Sequence, residues 1–187
     1  MNFEIRLVVP EDASFILDLR NNEKLNQFIS PTSTNTQEQI DWIKAYKKRE
    51  AEKKEFYFIV LEDGIKKGLY RIYNINDHSF TIGSWLFDSC KAIYLPILTD
   101  VVVSEFGFYD LKVPILLFDV RKKNKKVIRY HLLKKPLLYN EDESNNYYLL
   151  KLENWDKTRE KIISTFNIPS NEYRHMKSML AKIAKQL

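Results

Sequence analysis

Residues 113–120, Val113-Pro114-Ile115-Leu116-Leu117-Phe118-Asp119-Val120, run straight into Arg121-Lys122-Lys123-Asn124-Lys125-Lys126-Val127-Ile128-Arg129-Tyr130-His131-Leu132-Leu133. The first stretch is short and very apolar, which predicts a strand near the centre of a sheet. The second is expected to be helical over residues 124–133, with Asn124 at the junction where a side-chain cap belongs. A buried strand feeding directly into a helix points to a mixed sheet with helices packed on it.

Upstream, Phe56 to Leu61 (FYFIVL) predicts a strand buried on both faces, closed by the turn residues Glu62-Asp63-Gly64. Strands over 68–75 and 80–87 follow, separated by Asn76-Asp77-His78-Ser79. Short links make these three an antiparallel meander. A helix over 95–108 then carries Pro96 in its first turn, where a missing N–H costs nothing. At the N-terminal end, Phe3–Val9 predicts a strand and Asp12–Leu19 a short helix. Thr36, with Gln39 three residues on, predicts a capping box for a helix over 37–53. The far half of that helix, KKREAEKK, is nearly all charge and is expected to face water. Downstream, strands are expected over 137–139 and 147–152. From Trp155 on, Ile162, Ile163 and Phe166, then Met176, Met179, Leu180 and Ile183, predict amphipathic helices separated by Pro169. The order is β-α-α-β-β-β-α-β-α-β-β with a helical tail. The expected class is α/β (α+β), a main domain over residues 1–154 and a helical extension over 155–187 packed on it or on a dimer partner.

The chain has 187 residues, enough for one domain with a sizeable core. Hydrophobic residues at 44% exclude disorder as the main state. The single cysteine, Cys90, excludes an internal disulfide framework. His78, His131 and His175 are too far apart in sequence for a metal-ligand spacing, so no metal is expected. There is no apolar run of about 20 residues to span a membrane. The opening MNFEIRLVV carries charges that do not suit a signal peptide, so a cytoplasmic setting is expected. The formal charge is +5, and its excess is local. Arg121, Lys122, Lys123, Lys125, Lys126, Arg129, Lys134 and Lys135 have no acidic residue among them. Such a cluster suits a phosphate-bearing partner, or is a solvated face.

The stretch 118–129 resembles the GNAT superfamily of acyl-CoA-dependent N-acyltransferases, whose apolar strand ends in V-R-x-x-N before a helix. Ile82-Gly83-Ser84-Trp85-Leu86 is similar to that family's central strand, and Ser104-Glu105-Phe106-Gly107-Phe108-Tyr109-Asp110-Leu111 to its "EFAFEELGL" helix end. Ile5-Arg6-Leu7 with Leu17–Asn21 is similar to the ribosomal-protein and nucleotide amino-sugar branches. The likeness covers about residues 3–153. It implies acetyl-CoA as co-substrate, its pantetheine arm along Trp85, Leu86 and Phe87, and a pyrophosphate loop at Lys91, Ala92, Ile93 and Tyr94. Helix N-terminal amides attract such an anion. The family's loop reads R/Q-x-x-G-x-G/A, yet this chain has no glycine over 89–94. Lys91 is the expected substitute charge. The likeness also implies that Asn124 contacts the carrier arm, and that the proton donor lies at His131, seven residues beyond it, or at Tyr130. An imidazole serves as donor if a neighbouring carboxylate raises its pKa. Arg20 and Asn21, with the 30–36 loop, are the implied acceptor contacts, and Glu141 one that holds a cationic amine.

Other residues carry blander expectations. Asp100 is expected to face only the helix dipole. Cys90, lacking a nearby histidine in sequence, is not expected to be a nucleophile. The function implied is acetyl transfer to a primary amine, with a nucleotide-linked amino sugar as the favoured acceptor and a protein N-terminus as the second. The competing reading is a non-catalytic module of the same fold that binds RNA or another phosphate partner. Tyr130 is the lone ring within 120–135, which argues against nucleic acid. A homodimer is expected as an option for the tail helices.

Overall fold

The computed structural model describes residues 1–186. Its elements are β1 (Phe3–Leu7), α1 (Ala13–Asn21), α2 (Thr36–Ala51), β2 (Phe56–Glu62), β3 (Ile65–Tyr73), β4 (Ser79–Phe87), α3 (Leu95–Glu105), β5 (Ile115–Arg121), α4 (Lys125–Leu132), β6 (Leu137–Glu141), β7 (Asn145–Lys151), α5 (Leu152–Thr165) and α6 (Ser170–Gln186). They build a 7-stranded sheet in the order β1-β2-β3-β4-β5-β7-β6. Every neighbouring pair is antiparallel except β4 with β5. The mixed sheet, the meander and the β-α-β-α segment expected from the sequence are all present.

Both faces of the sheet are covered, which is why β2 is buried along its whole length. Phe56, Phe58 and Val60 point into one core with residues of α3, α5 and α6. Tyr57, Ile59 and Leu61 point into the other with Ile16 and Leu19 of α1 and Ile43 and Tyr46 of α2. The period-2 alternation of a strand produces this split. β5 differs: Leu116, Phe118 and Val120 are buried, whereas Asp119 is exposed. The tail helices share the first core through Trp155, Ile162, Met176 and Leu180, and α6 packs on β1 and α3.

Several local expectations shift. Asn35, not Thr36, caps α2, its side chain accepting from the N–H of Gln37 at 2.9 Å and of Glu38 at 3.4 Å. An amide oxygen one residue earlier is the better placed acceptor for the first turn. Within the charged half of α2, Glu50 is buried, because Tyr46 and Lys47 both donate to its carboxylate. The helix expected over 95–108 ends its regular part at Glu105 and widens into a π-turn over Phe106–Asp110. β6 is the open edge of the sheet, with Leu137, Leu138 and Tyr139 about half exposed. No helix among the described residues is long and apolar enough to cross a membrane.

Gly107 lies in the widened turn, where an added Cβ would stand 2.3 Å from the ring of Phe80. Phe80 is fully buried and has nowhere to move. Gly107→Ala is expected to cost about 1–3 kcal/mol through overpacking. Urea unfolding followed by tryptophan fluorescence measures it.

Candidate active site

The site begins where a ladder stops. β4 and β5 pair only at Ser79–Ile115, Phe80–Leu116 and Thr81–Leu117. Beyond Thr81, β4 continues against β3 to Phe87, and β5 continues against β7 to Arg121. Each strand keeps one satisfied edge and the two diverge, opening a wedge between them. Against β3, Gly83 faces Arg71 and Leu86 faces Leu69, so Ser84 and Trp85 together oppose Tyr70. This is a β-bulge, with Ser84 in the left-handed region at φ 49°. One extra residue inverts the alternation: Phe80 and Ile82 join one core, and Leu86 the other. Trp85 is thereby turned toward α3, where its Nε1 donates to the carbonyl of Pro96 at 3.1 Å.

The wedge is a cavity of about 1010 Å³. Trp85, Leu86 and Phe87 form one wall and Phe118 to Arg121 the other. Asn124, Tyr130 and His131 contribute from the α4 side, and Ile93 and Tyr94 from the loop before α3. Asn124 caps α4, accepting from the Val127 N–H at 3.3 Å. Arg121, Lys126 and Arg129 of the basic stretch also line this cavity. A second cavity of about 210 Å³ lies beside Arg20, Thr32, Trp42, Tyr57 and Arg71. Ser84 lines both. Arg20 donates to Thr32 Oγ1 at 2.6 Å and to Ser84 Oγ at 3.3 Å. Glu55 is engaged by Arg49 and Arg71, each at 2.6 Å.

The loop expected to need glycine manages without it. None of residues 88–94 has a positive φ, so Ala92 and Tyr94 sit in ordinary conformations. Glu62, at 1% exposure, pins the loop, its carboxylate accepting the N–H of Lys91 at 2.8 Å and of Ala92 at 2.7 Å. Tyr94 packs edge-on against Phe3 and donates to Glu172 of α6. Burial, with Glu172, pushes its phenol up to about 12. Lys91 does not reach the cavity; its Nζ pairs with Asp63 at 3.1 Å. Ala92 is buried behind the loop, and Asn21 borders neither cavity. Glu141 lies on the exposed edge strand, paired with Lys122 at 3.0 Å and away from both cavities. The Cys90 thiol is pushed up to about 11 by burial and then Glu62, which suits the expectation that it is no nucleophile.

Asp100 does more than face the helix dipole. It is fully buried and holds Lys134, also at 0% exposure, at 2.5 Å. Tyr70 donates to its Oδ1 at 2.5 Å and Tyr130 to its Oδ2. Burial pushes the Asp100 carboxyl up, but the Lys134 ammonium and the hydrogen bonds from Lys134 and Tyr130 outweigh it and hold it below the usual range. Burial lowers Lys134 against the pull of Asp100. Burial, then Asp100, raises Tyr130 well above 10. The condition for His131 to act as donor, a carboxylate that raises its pKa, is not met. Burial and then Lys134 lower it to about 3, and Asp100 does not compensate. Its ring is clamped by Phe118 at 4.4 Å and Trp85 at 5.6 Å, and its Nδ1 has no partner.

Residues 2–132 match the acetyltransferase (GNAT) domain family. The chain belongs to this family and is an acyl-CoA-dependent N-acetyltransferase. Among solved structures it is similar to apo FdhC, a nucleotide-linked sugar GNAT, at 35% identity over 85% of this chain and 92% of that one, with a TM-score of 0.76. It shares its fold with the ribosomal-protein-S5-alanine acetyltransferase of Vibrio fischeri, at 15% identity over 83% of this chain and 96% of that one, TM-score 0.70. The same holds for the Campylobacter jejuni N-acetyltransferase PseH in complex with acetyl coenzyme A, at 20% identity over 81% of this chain and 99% of that one, TM-score 0.58. No curated protein matches.

Because His131 is uncharged in the fold, the unfolded chain binds a proton that the folded chain refuses between pH 6.5 and about 3. Stability therefore drops as the pH is lowered through that window, because only the unfolded chain gains the proton. In His131→Leu that contribution is expected to vanish, flattening the acid limb of a urea-unfolding series. An unchanged limb would show that His131 protonates normally in the fold.

Proposed function

We propose that the protein transfers the acetyl group of acetyl-CoA to the amine of a nucleotide-linked amino sugar. The observation that carries this reading is Ser84, the residue common to both cavities. The larger cavity suits the carrier and the smaller the acceptor, and the bulge is where they meet. The free edge of β4 offers unpaired backbone groups to a pantetheine amide. Arg121, Lys126 and Arg129, at the wall of the larger cavity, suit the carrier's phosphates. Two arginines border the smaller cavity, and the carboxylate beside Arg71 is already paired. Such a pocket favours an acceptor that brings negative charge with its amine, as a sugar nucleotide does, over a polyamine. The 35% likeness to a nucleotide-linked sugar GNAT points the same way.

The acceptor amine must attack as a free base, and the departing thiolate must gain a proton. Tyr130, whose phenol stays protonated at neutral pH, is the proton source in this reading. His131 serves as an uncharged wall of the cleft.

Thiol release followed with a chromogenic disulfide tests the assignment. Nucleotide-linked amino sugars are expected to support turnover where spermidine and an N-terminal alanyl peptide do not; turnover with the peptide alone would overturn it. Arg20→Met is expected to raise the acceptor KM about tenfold and leave the acetyl-CoA KM unchanged. Glu62→Gln removes one acceptor from the loop amides of Lys91 and Ala92. Its acetyl-CoA dissociation constant, by calorimetry, is expected to rise about tenfold, or about 1.4 kcal/mol.

A further inference from the structure

Asp100 and Lys134 form an ion pair with no exposure at all, in a core where an apolar pair of the same volume would cost less. Four groups close around it. Tyr70 comes from β3, Tyr130 and His131 from α4, and Trp155 from α5. The Lys134 ammonium also lies 5.1 Å from the Tyr130 ring centroid and 5.6 Å from that of Trp155. Asp100 Oδ2 accepts from both Tyr130 and Lys134, so one oxygen bridges the phenol and the ammonium. Tyr70, Tyr130 and His131 line the larger cavity, while Asp100 and Lys134 sit behind them.

We propose that Asp100 and Lys134 are positioning residues for acetyl transfer, aligning Tyr130 at the cavity wall and resupplying the proton it gives to the departing sulfur. This rests on the reading of Tyr130 as the proton source for the carrier thiolate. The Tyr130 O–H, donated to Asp100 at rest, turns to the sulfur; as the C–S bond breaks, that O–H bond breaks and an S–H bond forms. The phenolate oxygen takes a proton that passes from the Lys134 ammonium across Oδ2 of Asp100. Lys134 is left as a neutral amine and regains its proton by the same route in reverse, through Oδ2 of Asp100 and the Tyr130 hydroxyl, from the one the acceptor amine releases into the cavity. No proton is consumed overall, and no oxidant or further reactant is needed. The two other titratable groups facing the pair do not compete: Tyr70 is bound to the opposite oxygen of Asp100, and His131 is held uncharged.

The experiment uses the full chain with CoA itself as probe. Calorimetry at pH 8.5 in two buffers of different ionisation enthalpy counts the protons released on CoA binding. A Tyr130 O–H turned to the sulfur, while Lys134 keeps its hold on Oδ2 of Asp100, favours the thiolate, so the wild type is expected to release a fraction of a proton. Asp100→Leu with Lys134→Met removes the pair while keeping its volume, and Tyr130→Phe removes the phenol while keeping the pair. Both variants are expected to bind CoA without proton release and to lose about 100-fold in kcat with KM for acetyl-CoA within threefold. Thermal unfolding of the double variant near the wild-type temperature shows that the loss is not one of folding. A double variant that releases the same proton and keeps kcat within twofold overturns the proposal, and so does Tyr130→Phe with unchanged kcat should the double variant not fold. A wild type that does not bind CoA at all is a different failure, that of the donor cavity.

Discussion

The parallel ladder between β4 and β5 ends after Thr81 and Leu117, and the rest of the molecule is arranged around that ending. Unpaired backbone groups inside a protein are costly, so a sheet that parts must give its freed edges to something else. Here each strand retains its outer neighbour, β3 or β7, and only the inner edges are released. The bulge at Ser84 occurs on the released length and inverts which core each later side chain enters. Trp85 is thereby committed to the helix side, where its bond to Pro96 ties β4 to the first turn of α3. The wedge, the second cavity and their common residue all follow from a strand that loses one neighbour and gains one residue.

The loop before α3 keeps an ordinary backbone although it has no glycine. Glycines let a backbone come close to a ligand without clashing. This chain instead holds the loop from behind with the buried carboxylate of Glu62. Tyr94, the bulkiest residue of this loop, turns toward Phe3 and Glu172. The C-terminal helix is therefore part of the loop's support, since α6 carries Glu172 and packs on β1 and α3.

Polar burial follows a similar logic on the other side of the cavity. The Asp100 carboxylate is surrounded by donors from three elements, β3, α4 and the chain just beyond α4. That arrangement leaves the imidazole of His131 as the group without a hydrogen-bond partner for Nδ1, and it stays neutral. A charge near a histidine does not by itself decide its protonation; burial outweighs Asp100 here.

The sequence alone determined the order of elements, the strand-to-helix junction at Asn124, the all-buried β2 and the proline in the first turn of α3. These are local: each depends on periodicity, a cap or a backbone restriction within a few residues. Trp85 to Phe87, Tyr94, Asn124, Tyr130, His131 and Arg20, which the family likeness implied as site residues, each border one of the cavities. Tertiary structure decided the rest. Glu62 and Lys91 lie 29 positions apart, and Asp100 and Lys134 lie 34 apart, so no window of sequence joins them. Asp100 looked like an ordinary helix acid and Lys134 like one of a basic run, and only packing showed that neither meets water. Asn21 and Glu141 looked suited to bind a substrate, yet the fold turns them away from both cavities. The physical reason is the same throughout: local propensity selects a strand or a helix, but which charges share a dry interior depends on where distant elements meet.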